Sequence, residues 1–325
     1  MKLVVDLMGG DSKPEELLFG VRNFLKKHND VEIILSGSEE LIKPCLSSSD
    51  KFIIENAPDV IHTGDSIHAI LKGTNSSMYK GLKLVEEGKA DGMLTAGSTQ
   101  AYVMLSYHLL KTINGINKPA FMSYVPTSNG RGMMFLDVGA NLNCTAEDLV
   151  QFAQMANIYS KEVRKIASPI VNVLNIGTEE TKGFAYHQDA NKMLKERNDI
   201  NYQGFIESRE MILGVTDVVV SDGYTGNIAL KALEGCLLAI NNLMKKEYKK
   251  PQNILGAIFS LGVIKKIKKT FDYKKYAGAF VIGLTKNVCK THGNAKREEI
   301  ESSLGMLYDA VECNLTEKIS KNING

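Results

Sequence analysis

The chain has 325 residues, of which 44% are hydrophobic and 23% are charged, the composition of an ordinary soluble globular protein. Its net charge of +2 is too small for a nucleic-acid-binding surface, and no stripe of interleaved basic and aromatic residues occurs. DNA and RNA are therefore excluded as expected partners.

Short apolar runs alternate with segments of helical period along most of the chain. The first pair is KLVVDLM and a helix that Pro14 should open, with Glu15 and Glu16 in its first turn. The later pairs are VEIILSG with SEELIKPCL, ADGMLTAGS with AYVMLSYHLLKTI, GMMFLDVGAN with TAEDLVQFAQMANIYSKEV, PIVNVLNIG with TEETKGFAYHQDANKMLKE, and TDVVVSDGYTG with NIALKALEGCLLAINNLMKK. This repetition predicts an α/β fold with a mainly parallel sheet covered by helices on both faces.

The last quarter of the chain departs from this alternation. Lysine-rich patches flank the apolar run ILGAIFSLGVI, and we expect a basic, apolar helical insertion at about 245–275. The segment AKREEIESSLGMLYDAVECNLTEKI predicts one long closing helix. Because no Pro/Gly/Ser-rich linker or repeat divides the sequence, we expect a single catalytic unit over 1–325, either undivided or built as two lobes that share a sheet.

Several features favour a cytoplasmic location. The five cysteines are scattered without a C-x-x-C pair, which suits a reducing compartment. Asp6 interrupts the N-terminal apolar run before it reaches the length of a signal peptide. The apolar run Ile254–Ile264 is shorter than the roughly 20 residues that a membrane-spanning helix needs.

The turns at the predicted strand ends carry the residues best suited to bind a ligand. In an open parallel sheet, ligands bind beyond the carboxyl ends of the strands. Six such turns combine glycine with Ser, Thr, Asn or Asp: DLMGGDS, SGS, TAGST, DVGAN, NIGTEET and SDGYTGN. Helix capping and tight turning would explain any one of them. Together they favour a site for phosphate or a developing oxyanion, because glycine allows close approach and free N–H groups attract anions.

Common catalytic signatures are missing. The sequence has no G-x-x-x-x-G-K-[ST], G-x-G-x-x-G, G-x-S-x-G or H-E-x-x-H motif, which disfavours P-loop hydrolysis, Rossmann cofactor binding, serine esterase chemistry and zinc proteolysis. The six histidines are separated from one another and from the cysteines, so we expect no metal site.

Seven blocks of the sequence resemble the phosphate acyltransferase (PlsX) family of bacterial phospholipid synthesis. They run in order from Val5 to about Ile300: VDLMGGDSKPEE, SSMYKGLKLVEEGKADGMLTAGST, FLDVGANLNCTAEDLVQFAQMA, VLNIGTEETKG, GFIESRE, DVVVSDGYTGNIALKALEG and THGNAKREEI. The resemblance implies a three-layer αβα sandwich similar to isocitrate and isopropylmalate dehydrogenases, in a homodimer. It also implies transfer of a long-chain acyl group from acyl-[acyl carrier protein] to inorganic phosphate, with no cofactor.

Two turns depart from the family pattern. Ser98, Thr99 and Gln100 stand where the resemblance leads us to expect Asn-Thr-Gly, and the sequence GFAYHQ after Lys182 is unusual. These differences concern the local shape of the turns rather than the reaction.

The resemblance implies Lys182 and Asn227 as the catalytic residues. Phosphate needs positioning and charge neutralisation more than a strong base, and the thioester carbonyl becomes an oxyanion on attack. We expect Lys182 to bind phosphate or the oxyanion and Asn227 to donate to the reacting carbonyl. The helix after NIGTEETKG should present Lys182, with Glu179 and Glu180 either orienting it or favouring the helix N-terminus electrostatically. The alternative is a surface pair of Glu179 with Lys182, stabilising by a few tenths of a kcal/mol.

Eight further residues are expected to bind substrate or shape its pocket: Asp6, Gly9, Gly10, Asp11, Ser98, Asn141, Asp222 and His292. Asp11 could equally cap the helix that begins at Pro14. Asp222 is expected to hold a catalytic neighbour. His292 could act as a general acid or orient a donor, with a turn or capping role as the alternative.

The basic segment suggests contacts with larger partners. Residues 245–275 contain ten lysines and two acids, a net charge of +8, which leaves −6 for the rest of the chain. The lysines nearest the apolar run are Lys265, Lys266, Lys268 and Lys269. They could hold the protein on the inner face of an anionic membrane, close to a membrane-bound glycerol-3-phosphate acyltransferase, or receive the acidic acyl carrier protein. The alternative is a helical hairpin buried at the dimer interface.

Three other functions compete with this interpretation. A phosphate acetyl- or butyryltransferase shares the fold and reaction type but uses a coenzyme A thioester. A non-catalytic scaffold of lipid synthesis at the membrane would not need both Lys182 and Asn227. A dehydrogenase of the related fold would need metal-binding aspartates and a cofactor site, and neither can be assigned.

Overall fold

The computed structural model describes residues 1–271 and 278–324, which divide into two compact units. The first unit comprises Met1–Tyr124, Gln154–Ser168 and the described part of Lys274–Gly325. The second comprises Val125–Ala153 and the described part of Pro169–Tyr273.

Strands and helices alternate along the chain as predicted. The strands are β1 (Lys2–Asp6), β2 (Glu32–Gly37), β3 (Ile53–Asn56), β4 (Gly92–Thr95), β5 (Ala120–Val125), β6 (Met133–Leu136), β7 (Ile170–Leu174), β8 (Asn201–Ile206), β9 (Val218–Val220), β10 (Ala279–Ile282) and β11 (Asn287–Lys290). The α-helices are α1 (Pro14–Leu25), α2 (Glu39–Ile42), α3 (Ile67–Lys72), α4 (Ser77–Glu86), α5 (Thr99–Leu110), α6 (Ala146–Glu162), α7 (Ala185–Lys195), α8 (Gly223–Tyr248), α9 (Ile254–Phe259), α10 (Leu261–Thr270), α11 (Arg297–Glu312) and α12 (Leu315–Asn324). Short 3-10 turns occur at Lys43–Cys45, Met211–Leu213 and Pro251–Asn253.

The sheet of the first unit has the strand order β3-β2-β1-β4-β11-β10-β5. Its strands are parallel except β10, which runs antiparallel to β11 and β5. Leu3, Val4 and Val5 of β1 are at most 1% exposed. Such a continuous apolar run is typical of a parallel strand that is covered on both faces.

The second unit has the parallel order β6-β9-β7-β8. All three valines of β9 are fully buried. The predicted α/β fold with a mainly parallel sheet is therefore confirmed in the described residues.

The helix starts follow local sequence signals in most places. Pro14 opens α1, with Glu15 and Glu16 in its first turn, as predicted. Thr145 and Asp148 bond each other's backbone N–H groups just before and inside α6, which fixes the start of that helix.

Two predicted helix boundaries are wrong. The helix after β7 begins at Ala185, so Lys182 lies in a turn before α7 and not in its first turns. The closing segment forms two helices, because Asn314 adopts a left-handed conformation with φ of 54° between α11 and α12.

The predicted insertion at 245–275 contains the end of α8, followed by α9 and α10. Many apolar side chains in α8, α9 and α10 are exposed, among them Leu243, Phe259 and Val263. Lys274 and Lys275 lie outside the described residues. Among the described helices, none is long and apolar enough to cross a membrane.

Candidate active site

Two predicted turns of the first unit, together with the turn that contains His292, lie at one edge of its sheet. They follow β1, β4 and β11, which are neighbouring parallel strands with Lys290 of β11 paired to Thr95 of β4. The residues in or beside these turns are Asp6, Gly9, Gly10, Asp11, Ser98 and His292. Parallel pairing places the carboxyl ends of the three strands together, and therefore these turns too.

Asp6 is buried beneath the turns. It is 1% exposed, and Oδ1 accepts the backbone N–H groups of Met8 and Gly9 at 2.9 and 3.2 Å. Oδ2 accepts the hydroxyl of Thr95 at 2.7 Å, and that hydroxyl accepts the N–H of Gly97 at 2.9 Å. Burial raises the pKa of Asp6, although these hydrogen bonds oppose the shift. Asp6 thus joins the turns after β1 and β4.

Gly9 and Gly10 are required by close packing between turns. A Cβ on Gly9 would lie 2.8 Å from Asp6 Oδ2 and from Gly97 Cα. A Cβ on Gly10 would lie 2.8 Å from the carbonyl oxygen of Gly293. Both glycines remain partly exposed, so a ligand can approach their backbone at this edge.

Asp11, Ser98 and His292 lie at the rim of this edge. Asp11 is exposed, and its N–H donates to the carbonyl of Gly293 at 2.7 Å. Lys13 occupies the N-cap of α1, so the alternative that Asp11 caps this helix is wrong. Ser98 caps α5, with its hydroxyl accepting the N–H of Ala101 at 3.5 Å. The side chain of His292 is exposed.

Lys290 at the end of β11 was missed by the sequence analysis. Its side chain is buried, and Nζ donates to the carbonyl of Thr291 at 2.6 Å. Burial lowers the pKa of Lys290 to about 8, while the charge of Asp11 opposes the shift. The available signal was its position directly before the sequence T-H-G, which contains the candidate residue His292.

The predicted site residues of the second unit also lie at one edge. They follow β6, β9 and β7, which are neighbouring parallel strands with Val220 paired to both Leu136 and Val173. Asn141 follows β6, Asp222 and Asn227 follow β9, and Lys182 follows β7.

Asp137, a second residue that the sequence analysis missed, shapes the turn after β6. It is fully buried, and Oδ1 accepts the N–H groups of Gly139 and Ala140 at 3.0 Å. Oδ2 accepts the backbone N–H of Asn141 at 2.7 Å and its side-chain amide at 2.8 Å. The amide nitrogen of Asn141 is therefore directed toward Asp137, which indicates a role in holding the turn.

The start of α8 packs directly on this turn. A Cβ on Gly226 would lie 1.9 Å from the carbonyl oxygen of Asp137, so a side chain cannot fit there. Asn227, next in the helix, donates one amide N–H to the carbonyl of Val138 at 2.8 Å. The described residues supply no partner for its second amide N–H, which leaves one donor for a ligand.

Asp222 caps α8 and contacts two ring side chains. Its Oδ1 accepts the N–H of Thr225 at 2.9 Å, and its Oδ2 accepts the hydroxyl of Tyr186 at 3.3 Å. His187 Nε2 lies 4.0 Å from the same oxygen, and burial lowers the pKa of His187 although Asp222 opposes the shift. Asp222 thus holds Tyr186 in the unusual GFAYHQ segment. That it holds a catalytic neighbour stays a prediction.

Lys182 is exposed and has a free ammonium. Asn175 braces its loop by donating to the carbonyl of Lys182 at 3.1 Å. In the described part of the chain, neither Glu179 nor any other acid pairs with its Nζ, and Glu180 pairs with Lys195. The alternative of a Glu179–Lys182 surface pair is therefore wrong, as is the expectation that Glu180 orients Lys182.

Comparison with known proteins assigns the family. A family model described as "Fatty acid synthesis protein" matches residues 1–318. The phosphate acyltransferase of Malacoplasma penetrans is 48% identical over 312 residues, covering 96% of this chain and 94% of the relative. That of Mycoplasma genitalium is 39% identical, covering 99% of this chain and 98% of the relative. The chain belongs to the phosphate acyltransferase family.

Solved structures show that the phosphate acyltransferase chain shares its fold with several enzymes. A phosphotransacetylase from Streptococcus pyogenes superimposes with a TM-score of 0.64 at 18% identity, covering 96% of this chain and 94% of that one. Isocitrate dehydrogenase from Methylococcus capsulatus gives a TM-score of 0.51 at 10% identity, covering 99% and 88%. The expected likeness to isocitrate dehydrogenase is confirmed at the level of fold.

The chemistry available at these edges is anion binding. The second unit offers the ammonium of Lys182 and an amide donor of Asn227, and the first offers the ammonium of Lys290 and bare backbone at Gly9 and Gly10. No group of three or more His, Cys, Asp or Glu side chains in residues 1–271 and 278–324 is arranged to hold a metal ion.

Proposed function

We propose that the chain transfers a long-chain acyl group from acyl-[acyl carrier protein] to inorganic phosphate, producing acyl phosphate for phosphatidic acid and phospholipid synthesis. Membership of the phosphate acyltransferase family supports the reaction type. The observation that carries the proposal is a pair of donors without a partner among the described residues, the ammonium of Lys182 and the second amide N–H of Asn227. They follow the adjacent parallel strands β7 and β9.

The reaction needs both donors where negative charge is present or develops. A phosphate oxygen attacks the thioester carbonyl carbon, and the carbonyl oxygen gains negative charge as the C–O bond forms. The free N–H of Asn227 donates to this oxygen, and Lys182 offsets the negative charge of the phosphate or the oxyanion. The C–S bond then breaks, and the carrier thiolate leaves and takes a proton from solvent. Each preorganised donor in such a site typically contributes about 3 kcal/mol to transition-state stabilisation.

The geometry of Asn227 is suited to this role. Its amide group is held by the bond to Val138, and Gly226 fixes the first turn of α8 against Asp137. A donor that is already oriented loses little freedom when the oxyanion forms. Lys182, by contrast, is free to follow its ligand because its side chain is exposed.

The reaction is tested by mixing the purified chain with palmitoyl-[acyl carrier protein] and phosphate. Acyl phosphate and free carrier thiol should appear in equal amounts, and only when phosphate is present. Lys182→Met should abolish most of this turnover, whereas Lys192→Met, a change of an exposed lysine on α7, should not. Palmitoyl-coenzyme A in place of the carrier thioester tests the alternative donor. A folded protein without phosphate-dependent loss of thioester would refute the proposal.

The proposed partners also include a second copy of this chain and a membrane surface. Cys236, Ile240 and Leu243 recur at helical spacing on an exposed stripe of α8, which a second copy would cover in a homodimer. Phe259 is 88% exposed and lies close in sequence to the exposed lysines Lys265, Lys266, Lys268 and Lys269. An apolar contact beside basic groups suits the headgroup region of an anionic membrane.

Membrane attachment is tested by reversing charge in this basic group. Replacing Lys265, Lys266, Lys268 and Lys269 by Glu should release the protein from anionic liposomes in a flotation assay, because each lysine near the surface contributes about 1 kcal/mol. Zwitterionic liposomes are the control, since the wild-type protein should bind them weakly. Equal flotation of variant and wild type on anionic liposomes would contradict this role.

A further inference from the structure

Lys290 is buried more deeply than a surface role would require. It is 8% exposed, and it ends β11 beside Thr95, at the edge where the turns after β1, β4 and β11 meet. Lysine side chains are almost never fully buried unless they are paired. A buried lysine at a ligand-binding edge of a parallel sheet therefore calls for a counter-charge.

The described residues do not supply that counter-charge directly. An ammonium has three donors, and among the described residues Lys290 bonds only to the carbonyl of Thr291. Asp11 is close enough to influence the pKa of Lys290, but the hydrogen bond that Lys290 Nζ forms goes to the carbonyl of Thr291 and not to Asp11. The hydroxyl of Thr291, next in the chain, is also buried without a hydrogen-bond partner. Two neighbouring polar groups are thus left incompletely satisfied, which is costly in a protein interior.

The surrounding turns leave backbone rather than side chains at this edge. Gly9, Gly10 and Gly97 pack so closely that a Cβ on any of them would come within 2.8 Å of another atom. Asp6 and Thr95 fix these turns from below. A compact anion with several acceptor oxygens could satisfy the remaining donors of Lys290, and phosphate is such an anion.

We propose that Lys290 is a phosphate-binding residue, whose ammonium holds inorganic phosphate at the edge formed by the turns after β1, β4 and β11. This inference rests on the proposed function, because it identifies the phosphate as the acyl acceptor. It explains why a lysine with unfilled donors is kept in the interior of the first unit.

The test compares Lys290→Met with Lys286→Met. Lys286 immediately precedes the other end of β11, so its replacement controls for loss of a lysine near the same strand. Lys290→Met should raise the KM for phosphate at least tenfold and leave the KM for acyl-[acyl carrier protein] unchanged. Lys286→Met should leave the KM for phosphate and the KM for acyl-[acyl carrier protein] unchanged. Lys290→Gln, which keeps a hydrogen-bond donor, serves as a second variant if the methionine variant does not fold.

A second measurement does not depend on turnover. Sodium phosphate should raise the Tm of the wild type and of Lys286→Met above that in sodium chloride of equal ionic strength, because a ligand that binds the folded state stabilises it. This increase should be lost in the Lys290 variants. If the wild type shows the phosphate-dependent Tm increase without any thioester cleavage, the proposed reaction fails while the Lys290 site stands. Wild-type phosphate KM and Tm response in both Lys290 variants, or no response in the wild type, would overturn the site.

Discussion

Replacing Lys290 by methionine should stabilise the protein in phosphate-free buffer. Burial lowers the pKa of Lys290 from 10.5 to about 8. Because one pKa unit corresponds to about 1.4 kcal/mol, the buried ammonium costs about 3 kcal/mol of folding free energy at pH 7. Methionine removes this cost but loses the hydrogen bond to Thr291, a loss of about 1 kcal/mol. The net gain in the free energy of unfolding should be about 2 kcal/mol.

The pH dependence of this gain identifies its cause. The pKa is lower in the folded than in the unfolded state, so the destabilisation is complete below about pH 8 and disappears as pH rises toward 10.5. Asp11 after β1 acts on Lys290 by its charge. The thiol of Cys289 on β11 is uncharged between pH 7 and pH 10, because burial raises its pKa to about 12. The advantage of Lys290→Met should therefore shrink to less than about 1 kcal/mol near pH 10.

Urea unfolding followed by circular dichroism measures this effect, since the chain has no tryptophan for fluorescence. Lys286→Met again serves as the control, and its free energy of unfolding should equal that of the wild type at pH 7 and at pH 10. The stability argument is wrong if Lys290→Met has a lower free energy of unfolding than the wild type at pH 7, or if its gain over the wild type is the same at pH 7 and pH 10. Together with a raised KM for phosphate, the expected result would show that the ammonium is kept for binding at the expense of stability.

Two further predictions concern the start of α8. Asn227→Ala should lower kcat about 100-fold because it removes a preorganised donor. Asn242→Ala, at an exposed position of the same helix, is the control and should leave kcat unchanged. Single-turnover kinetics measures both variants. Gly226→Ala should destabilise the protein by about 3 kcal/mol, since the new methyl group would overlap the carbonyl of Asp137. Gly235→Ala, where a Cβ meets no atom within 4 Å, should instead stabilise α8 by up to about 1 kcal/mol in thermal unfolding. Similar Tm values for the two alanine variants would contradict this packing argument.

The sequence predicts the position of the candidate site well because strand-end turns have a local signature. Apolar runs that end in glycine with a small polar residue are visible without any tertiary information, as in the turns of Asp6 and Asn141. Parallel pairing then places these turns at common edges in each unit. The resemblance to known sequences adds the family, which no spacing in the chain reveals.

The residues that the sequence analysis missed depend on long-range packing. Asp137 is important because its carboxylate is buried beneath four N–H groups, and Lys290 because its ammonium is buried with few partners. Neither burial nor an unfilled donor can be deduced from neighbouring residue types. The shifted start of α7 has a similar cause, because Asn175 braces the preceding turn and Gly183 adopts a φ of 84°.

The hydrogen bonds of Asp137 have a consequence for how the second unit receives a ligand. Its two oxygens already hold the N–H groups of Gly139, Ala140 and Asn141, so the turn after β6 has its shape before any substrate arrives. A loop that is already ordered loses little conformational entropy when a ligand binds. Substrate discrimination at this turn would then come from steric exclusion of molecules that do not fit its preformed shape.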